Sequence, residues 1–279
     1  MREIQWFPGH MKKTQRRITE ELKNIDFTFE LLDARIPLSS KNPDLKKLTQ
    51  GKPSIVLLGK SDLADPEVTR DFVRSFSEDG SFVFSCDCKS GQGLSPIQDA
   101  VRRLCAERLE KNAARGIHRP LRAMIVGVPN VGKSALINRL CGKAKTKVEN
   151  RPGVTRDLSW TRTSLGFDLL DTPGVLWPKF TDRAVGENLA ITGAIRDEVL
   201  SAEEIAWALF CRFAAFYPEG LKERYGITDP SDYDAAITAV ARRRGMLLSG
   251  GVPDEERAAK ALIDDFRNGR IGNFTLERL

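Results

Sequence analysis

The sequence predicts an α/β fold in which helices cover a mostly parallel sheet, followed by a smaller all-helical region. In the first part of the 279-residue chain, short apolar runs alternate with helix-like segments, a pattern typical of parallel sheets. A glycine-rich turn at residues 127–134 joins one apolar run to the start of a helix. After Pro178 the strand-like runs stop, and the remaining segments have helical periodicity.

Each predicted strand is a short apolar run bounded by polar or glycine residues. The runs are residues 27–33, 54–59, 81–84, 123–126 and 167–170, with a further strand before the last one. An amphipathic helix is predicted before the first strand, because Ile18, Leu22 and Ile25 recur at helical spacing. The other predicted helices are residues 96–112, 135–140, 184–194, 202–216, 232–244 and 254–268. These elements divide the chain into a first domain, residues 1–178, and a helical domain, residues 179–279.

Composition limits the class of protein and of partner. No apolar run approaches the roughly 18 residues that span a membrane, and the first residues contain no signal-peptide core. The five scattered cysteines and two histidines suggest free thiols in a reducing cytoplasm rather than a zinc site. A formal charge of +6 favours a polyanionic partner without identifying it.

The segment Gly127-Val-Pro-Asn-Val-Gly-Lys-Ser134 fits the pattern G-x-x-x-x-G-K-[ST]. In this pattern successive backbone amides surround phosphate oxygens at the start of a helix. We expect Lys133 to reach the β- and γ-phosphates and the Ser134 hydroxyl to bind Mg²⁺. Asp171-Thr-Pro-Gly174 follows a later apolar run and supplies the second group on the Mg²⁺ side. The backbone of the loop adds Asn130, Val131, Gly132 and Ala135 to the predicted contacts, and the whole set predicts a nucleoside triphosphate site.

Two further loops follow predicted strands and are candidates for reading the base. Gly59-Lys-Ser-Asp62 stands where guanine-specific proteins have N-K-x-D, and Asp62 would accept two hydrogen bonds from guanine that adenine does not offer. On its own this loop equally fits a helix cap. Asp87-Cys88-Lys89 matches the position of the S-A-K loop, whose backbone amides contact the guanine carbonyl.

Both base loops precede the phosphate loop, which reverses the usual order. The same sheet forms if the original termini are joined near residues 105–120 and the chain is reopened after Gly174. The fold class is therefore a P-loop GTPase fold with circularly permuted motifs. The switch segments then lead directly into the helical domain, so that the γ-phosphate state can be transmitted to it.

Several segments together resemble the circularly permuted ribosome-assembly GTPases of the RbgA/YlqF family. The resemblance covers nearly the whole chain and rests on residues 6–11, 33–37, 127–134, 152–155, 171–174 and 189–195. It implies a cytoplasmic GTPase that acts late in maturation of the large (50S) ribosomal subunit, with GTP or GDP, Mg²⁺ and rRNA as its partners and no membrane or DNA partner. The chain departs from the family pattern at Gly59, which replaces Asn, and at Asp87-Cys88, which replaces Ser-Ala.

The origin of hydrolytic activity is open in the sequence. Val175 follows Gly174, where many GTPases have a glutamine that orients water. The resemblance implies His10 as the group that acts on the water and Asn130 as a ligand for K⁺. Thr155 is expected to touch Mg²⁺ and sense the γ-phosphate, and Gly174 to let the switch rearrange.

The basic residues and tryptophans leave alternatives open. Positive clusters at residues 12–17, 143–156 and 242–244 fit RNA phosphates, although such runs are often only solvated. Trp160, Trp177 and Trp207 suit core packing better than base stacking. The runner-up function is a nucleotide-gated interaction module with negligible hydrolysis and a protein partner. An ATPase is third, and Asp62 argues against it.

Overall fold

The structure is a computed structural model that describes residues 16–142, 159–176, 182–195 and 200–279. Six strands in this part of the chain form one sheet in the order β3-β2-β1-β4-β6-β5. The strands are β1 Phe27–Asp33, β2 Ser54–Gly59, β3 Phe82–Ser85, β4 Arg122–Val126, β5 Ser159–Arg162 and β6 Asp168–Asp171. Neighbouring strands run parallel except β5, which is antiparallel to β6. The predicted mostly parallel sheet is confirmed.

Apolar side chains cover both faces of the central strand β1. Phe27, Phe29 and Leu31 belong to one buried cluster, whereas Leu32 belongs to another. Successive side chains of a strand point to opposite faces, so a strand buried on both sides reads as a continuous apolar run. This is why the sequence located β1 and β2 with their observed bounds.

The predicted amphipathic segment before β1 packs as expected. Residues 16–21 are helical and continue into a 3₁₀ turn, Leu22–Asn24. Ile18, Leu22 and Ile25 are buried together with Met124 of β4. The inward-facing stripe is therefore confirmed, and it covers the sheet beside the phosphate-loop strand.

Eight helices of at least eight residues are present in the described ranges. They are α1 Pro66–Phe76, α2 Ile97–Leu104, α3 Ala106–Ala114, α4 Lys133–Cys141, α5 Arg183–Ile191, α6 Ala202–Phe216, α7 Tyr233–Arg243 and α8 Glu255–Arg267. Shorter helical turns are Leu45–Leu48, Ser61–Leu63, Lys222–Tyr225 and Ser249–Gly251. No helix among the described residues is long and apolar enough to cross a membrane.

The observed helices differ from the prediction in two places. The single helix expected over residues 96–112 is two helices, because the chain leaves helical geometry at Cys105, with φ −105° and ψ 12°. Helix α1 was missed, although its start signals are clear. Asp65 caps it by accepting from the amides of Glu67 and Val68, and Pro66 occupies the first helical position.

The tryptophan prediction was wrong where it can be checked. Trp160 on the edge strand β5 is 41% exposed and lies against the Arg122 guanidinium. Trp207 on α6 is 42% exposed and contacts the Tyr233 ring edge to face. Trp177 lies outside the described residues. An edge strand and the outer side of a helix each leave one face of a large ring in solvent, which apolar spacing alone does not reveal.

The end of the chain returns to the sheet. The Leu276 amide donates to the Arg35 carbonyl at 2.8 Å, and the Phe274 amide donates to the Leu63 carbonyl at 3.1 Å. Glu277 is buried and accepts from the amides of Leu38 and Ser39. One large buried cluster contains residues from both sides of position 178. The division into domains 1–178 and 179–279 therefore stays a prediction.

The topology brings the predicted loops to one edge of the sheet. The base loops follow β2 and β3, the phosphate loop follows β4, and Asp171 ends β6. In parallel sheets ligands bind outside the carboxyl ends of the strands, where the strand order reverses. Here that point lies between β1 and β4, because β2 pairs with the other side of β1.

Candidate nucleotide-binding site

The phosphate loop is a tight turn between β4 and α4. Asn130 and Gly132 have positive φ values of 57° and 109°. A glycine adopts the second conformation without strain, whereas other residues rarely do. Helix α4 begins directly at Lys133, and the Leu136 amide donates to the Gly132 carbonyl at 3.0 Å. The loop thus places the N-terminus of α4 just beyond the carboxyl end of β4, an arrangement that favours a bound anion.

Lys133 carries a buried positive charge at this place. It is 7% exposed, and its ammonium donates to the carbonyl oxygens of Gly127 at 3.0 Å and Val128 at 2.9 Å. Burial lowers the pKa of Lys133, the Asp171 carboxylate opposes that change, and the charge of Lys60 adds to it. An anionic ligand would stabilise the charged form of Lys133, so the site favours phosphate.

Asp171 has the features of a group on the metal side. It is 2% exposed, and its Oδ1 has no hydrogen-bond partner among the residues that the structure describes. Burial raises the pKa of Asp171, while the Lys133 charge and the Thr172 amide lower it. Buried polar atoms are nearly always partnered, so an orphaned carboxylate oxygen beside a phosphate loop fits a hydrated cation.

Mg²⁺ fits the residues present better than a metal held wholly by protein. The described ranges contain no group of three or more His, Cys, Asp or Glu side chains that could hold a metal ion. Mg²⁺ commonly needs only one or two protein groups, with water and substrate phosphates completing its shell. Ser134 at the start of α4 and Asp171 at the end of β6 are the described groups that would serve it.

The segment after Asp171 packs directly on the phosphate loop. The Val175 amide donates to the Gly127 carbonyl at 3.1 Å. A Cβ at Gly174 would lie 2.5 Å from Pro129 Cα, so only glycine permits this approach. The Val175 side chain is 3% exposed in the cluster with Met124. It points into the core and cannot orient water.

The first base loop begins in an unusual conformation. Lys60 has φ 57° and ψ 34°, the left-handed region, and it precedes the 3₁₀ turn Ser61–Leu63. The Lys60 ammonium donates to Asp33 Oδ2 at 3.0 Å. Asp62 is exposed to solvent at the surface of the loop. The protein atoms around its carboxylate still remove part of the water, and this desolvation and the negative charge of Asp87 raise the pKa of Asp62. The penalty for leaving Asp62 unpaired would therefore arise only once a base covers it.

The second base loop is joined to the first. The Ser61 amide donates to the Cys86 carbonyl at 3.2 Å. The Asp87 carboxylate accepts from the Lys89 amide at 2.7 Å and the Ser90 amide at 3.0 Å, so it closes its own turn. The Lys89 amide is thus already bonded to Asp87 and is not available for the predicted base contact. The Cys86 and Cys88 sulfurs lie 3.8 Å apart, and this contact and burial raise the pKa of Cys88.

The structure brings together most of the predicted site residues. These residues lie at or just after the carboxyl ends of four strands: Gly59, Lys60, Ser61, Asp62, Asp87, Cys88, Lys89, Asn130, Val131, Gly132, Lys133, Ser134, Ala135, Asp171 and Gly174. His10 and Thr155 lie outside the described residues. The roles assigned to all these residues stay predictions.

Sequence reasoning missed how closely the helical part approaches the phosphate loop. The Asn130 side-chain amide donates to the Thr192 carbonyl at 3.4 Å. The Arg267 guanidinium donates to the carbonyls of Ala190 at 2.7 Å and Ile191 at 2.9 Å, at the end of α5. These contacts join residues more than 60 positions apart, so no local sequence pattern predicts them. The phosphate loop and the segment after α5 are thus in direct contact.

Comparisons with known proteins agree with this geometry. Residues 122–211 match a family described as 50S ribosome-binding GTPase. Ribosome biogenesis GTPase A of Priestia megaterium is 44% identical over 277 residues, which cover 98% of this chain and 96% of that protein. A GDP-bound YlqF structure is similar with a TM-score of 0.67 and 28% identity, over 94% of this chain and 99% of that one.

A second structure has a nucleotide of another kind. GNP-bound YlqF from T. maritima is similar with a TM-score of 0.67 and 27% identity, over 95% of this chain and 98% of that one. Both matches thus cover nearly the whole of each chain. The predicted family resemblance and the permuted GTPase fold are both confirmed. This chain belongs to the ribosome biogenesis GTPase A (RbgA/YlqF) family.

Proposed function

We propose that this protein binds guanine nucleotides, hydrolyses GTP, and in its GTP-bound state attaches to the maturing large ribosomal subunit. One observation carries the proposal: the two base loops and the phosphate loop lie along one sheet edge, with buried Lys133 and Asp171 beside each other. The relatives named ribosome biogenesis GTPase A support the ribosomal part.

Each side chain of the site has a distinct role in this proposal. Lys133 and the amides of the phosphate loop bind the β- and γ-phosphates, and Ser134 and Asp171 hold Mg²⁺, Asp171 through water. Mg²⁺, when bound, offsets charge that develops on the phosphate oxygens. Thr155 senses the γ-phosphate, and Gly174 keeps the following segment against the phosphate loop.

Two groups are proposed for the hydrolytic step itself. His10 would orient or deprotonate the attacking water, a role that Val175 leaves open because its side chain is apolar and buried. Asn130 would offer its amide oxygen to a K⁺ ion near the β- and γ-phosphates, since its amide nitrogen already donates to Thr192. A monovalent cation there would offset developing charge as an arginine finger does.

Asp62 is proposed to select guanine. We expect GDP to bind at least about tenfold tighter than ADP, because a bidentate charged contact contributes roughly 1.5–3 kcal/mol. Asp62→Asn should lose most of this preference. It should instead favour xanthosine diphosphate, whose 2-carbonyl accepts from an amide. A fluorescence titration with the three diphosphates measures this.

A control variant separates base reading from loop stability. Asp65→Asn changes a carboxylate three positions further on, which caps α1 and accepts from Tyr217. It should keep the guanine preference and gain no xanthosine diphosphate binding. Equal affinity of the unmodified protein for ADP and GDP would contradict guanine selection.

A cleft in the helical part is the proposed contact for rRNA. The arginine cleft has a volume of about 420 Å³ and contains Arg224, Arg243, Arg244 and Arg270. Behind these arginines Asp265 is fully buried and pairs with Arg224 at 2.7 Å and with Arg270 at 3.2 Å. Folded RNA is recognised mostly through its shape and backbone. Three guanidinium groups of the cleft, those of Arg224, Arg244 and Arg270, lie within 4 Å of one carboxylate, and such positioned guanidinium groups suit phosphates.

The attachment should depend on nucleotide state and on salt. We expect co-sedimentation with large subunits in a non-hydrolysable GTP analogue, and much less with GDP, because particle binding and switch ordering are reciprocally coupled. Replacing Arg243 and Arg244 by Gln should weaken attachment and reduce its salt slope by about two. The matched control is Arg70→Gln with Arg74→Gln, two exposed arginines on α1, which should leave the slope unchanged.

A second candidate function is favoured by Val175. A GTPase-like module without a water-positioning residue would bind nucleotide, hydrolyse it negligibly and present a nucleotide-dependent surface to a protein. This candidate would be favoured if the protein failed to co-sediment with large subunits in every nucleotide state. A reducing, cytoplasmic location is proposed for either function, since all five cysteines are free thiols.

A further inference from the structure

We propose that Asp33 and Arg35 are positioning residues for the guanine-selecting loop: they fix Lys60, and through it the turn that carries Asp62. The inference rests on the proposed binding of guanine nucleotides and assigns new residues to that site. Asp33 is the last residue of β1 and Arg35 follows two positions later, and β1 lies between the strands that carry the first base loop and the phosphate loop.

Lys60 is held from the neighbouring strand. Asp33 is in register with Gly59 in the pairing of β1 with β2, and the Ala34 amide donates to the Gly59 carbonyl at 2.9 Å. From there the Asp33 carboxylate accepts from the Lys60 ammonium at 3.0 Å. A residue other than glycine in the left-handed region, as Lys60 is, persists when its surroundings over-determine it. The contact with Asp33 is such a constraint, because it holds the ammonium of Lys60 while the Ala34 amide holds the preceding carbonyl of Gly59.

The Asp33 carboxylate is itself immobile. Arg35 donates to Oδ1 through Nε at 2.9 Å and to Oδ2 through a terminal nitrogen at 2.8 Å, and its own amide donates to Oδ1 at 3.1 Å. Asp33 is 2% and Arg35 1% exposed. Burial alone would raise the pKa of Asp33, but the charges and hydrogen bonds of Arg35 and Lys60 lower it well below its usual range. Asp33 therefore presents a fixed negative charge to Lys60.

Position 59 is poorly placed to brace the loop. A Cβ there would lie 3.0 Å from Leu31 Cδ1 and 3.5 Å from Cys88 Sγ, so a larger residue would fit only if the Leu31 side chain shifted slightly. Support from a side chain at position 59 is thus absent, and the loop is instead fixed through its lysine.

The brace is anchored in the helical part of the protein. The Arg35 guanidinium lies over the Phe266 ring at 5.4 Å, and one of its nitrogens approaches the Arg267 carbonyl at 3.5 Å. The Arg35 carbonyl accepts from the Leu276 amide at 2.8 Å. The segment after β1 therefore contacts both the sheet and the last residues of the chain. Lys60 is thus held from outside the loop in addition to its own turn, in which the Leu63 amide donates to the Lys60 carbonyl at 3.0 Å.

The test is a double-mutant cycle on GDP affinity. Asp33→Asn and Lys60→Met should each weaken GDP binding about tenfold, which is 1.4 kcal/mol. The double variant should bind no more weakly than the weaker single variant, because both changes remove one interaction. Methionine keeps an apolar stem of similar length, so Lys60→Met removes only the ammonium. ADP affinity should change little, so the ratio of GDP affinity to ADP affinity should fall.

Asp26→Asn is the matched control for stability. Asp26 precedes β1 at the opposite edge of the sheet, is held by Arg119 at 2.8 and 2.9 Å, and its side chain is 2% exposed. This variant should lower the melting temperature as Asp33→Asn does, yet leave GDP affinity unchanged. A lowered melting temperature with unchanged GDP affinity in Asp33→Asn would overturn the inference.

Two outcomes keep the inference separate from the proposed function. If the unmodified protein does not prefer GDP to ADP, the proposed function fails whatever the variants do. If it does and Lys60→Met binds GDP like the unmodified protein, only the positioning role fails. Should Asp33→Asn not fold, Lys60→Met and its rescue by Lys60→Arg decide the matter, since Lys60 is 20% exposed and its replacement leaves the Asp33–Arg35 pair intact.

Discussion

His10→Ala should lower GTP turnover on the ribosomal particle by about 10²–10⁴-fold, the loss typical of a proton-transfer or water-positioning group. GTP affinity should change little, because His10 is proposed to act on the water and not on the nucleotide. The physical reason lies in Val175, which is buried against the strand that precedes the phosphate loop and cannot hydrogen-bond to water. Single-turnover hydrolysis with saturating subunits measures the chemical step directly.

The other histidine provides the matched control. His118 is exposed in the segment between α3 and β4, so His118→Ala should leave turnover unchanged. Val175→Gln should not rescue His10→Ala, because the side chain at this position packs into the apolar cluster. Full turnover in His10→Ala would mean that another group positions the water. Exchanging K⁺ for Na⁺ in the same assay tests Asn130.

Lys133→Ala should weaken GTP and GDP binding by roughly 10–100-fold, since a charge-assisted hydrogen bond contributes about 1.5–3 kcal/mol. Turnover should fall by a further factor of about 10²–10³, as when one preorganised donor to a developing charge is removed. Binding of guanosine, which lacks phosphates, should be unaffected. Isothermal titration with all three ligands distinguishes the loss of a phosphate contact from a collapsed site.

Lys52→Ala is the control for Lys133→Ala. The Lys52 ammonium also donates to a backbone carbonyl, that of Ile25 at 2.8 Å, but it lies before β2 at the opposite edge of the sheet. The two variants share the loss of a lysine that bonds to the backbone. Only Lys133→Ala should alter nucleotide binding. Equal GTP affinities in both variants would contradict the assignment of Lys133.

The edge of the sheet that carries the candidate site was predicted from sequence because each of its signals lies within a short segment of the chain. A buried parallel strand is a continuous apolar run, and the loop that follows it carries the functional residues. These two signals suffice to identify Lys60, Asp62, Lys133 and Asp171 as site candidates from the amino-acid sequence alone. The break at Cys105 was missed, since helical periodicity continues through it.

Contacts between distant segments could not be read in the same way. Asp33 was visible as an acid at the end of a strand, but its ion pair with Lys60 depends on the alignment of β1 with β2. The approach of Asn130 to Thr192 depends on how the helices fold back after β6. The sequence places Arg35 two positions after Asp33, but it does not show that both side chains are buried or that they form an ion pair.

The central claim is that nucleotide hydrolysis by this protein is governed by the large ribosomal subunit. The measurement that tests it most directly is steady-state GTP turnover with and without purified large subunits, at equal Mg²⁺ and K⁺. We predict slow turnover by the protein alone and a clear rise with added subunits that disappears at high salt, because the attachment is electrostatic. Turnover that is the same with and without subunits at every salt concentration would contradict the account.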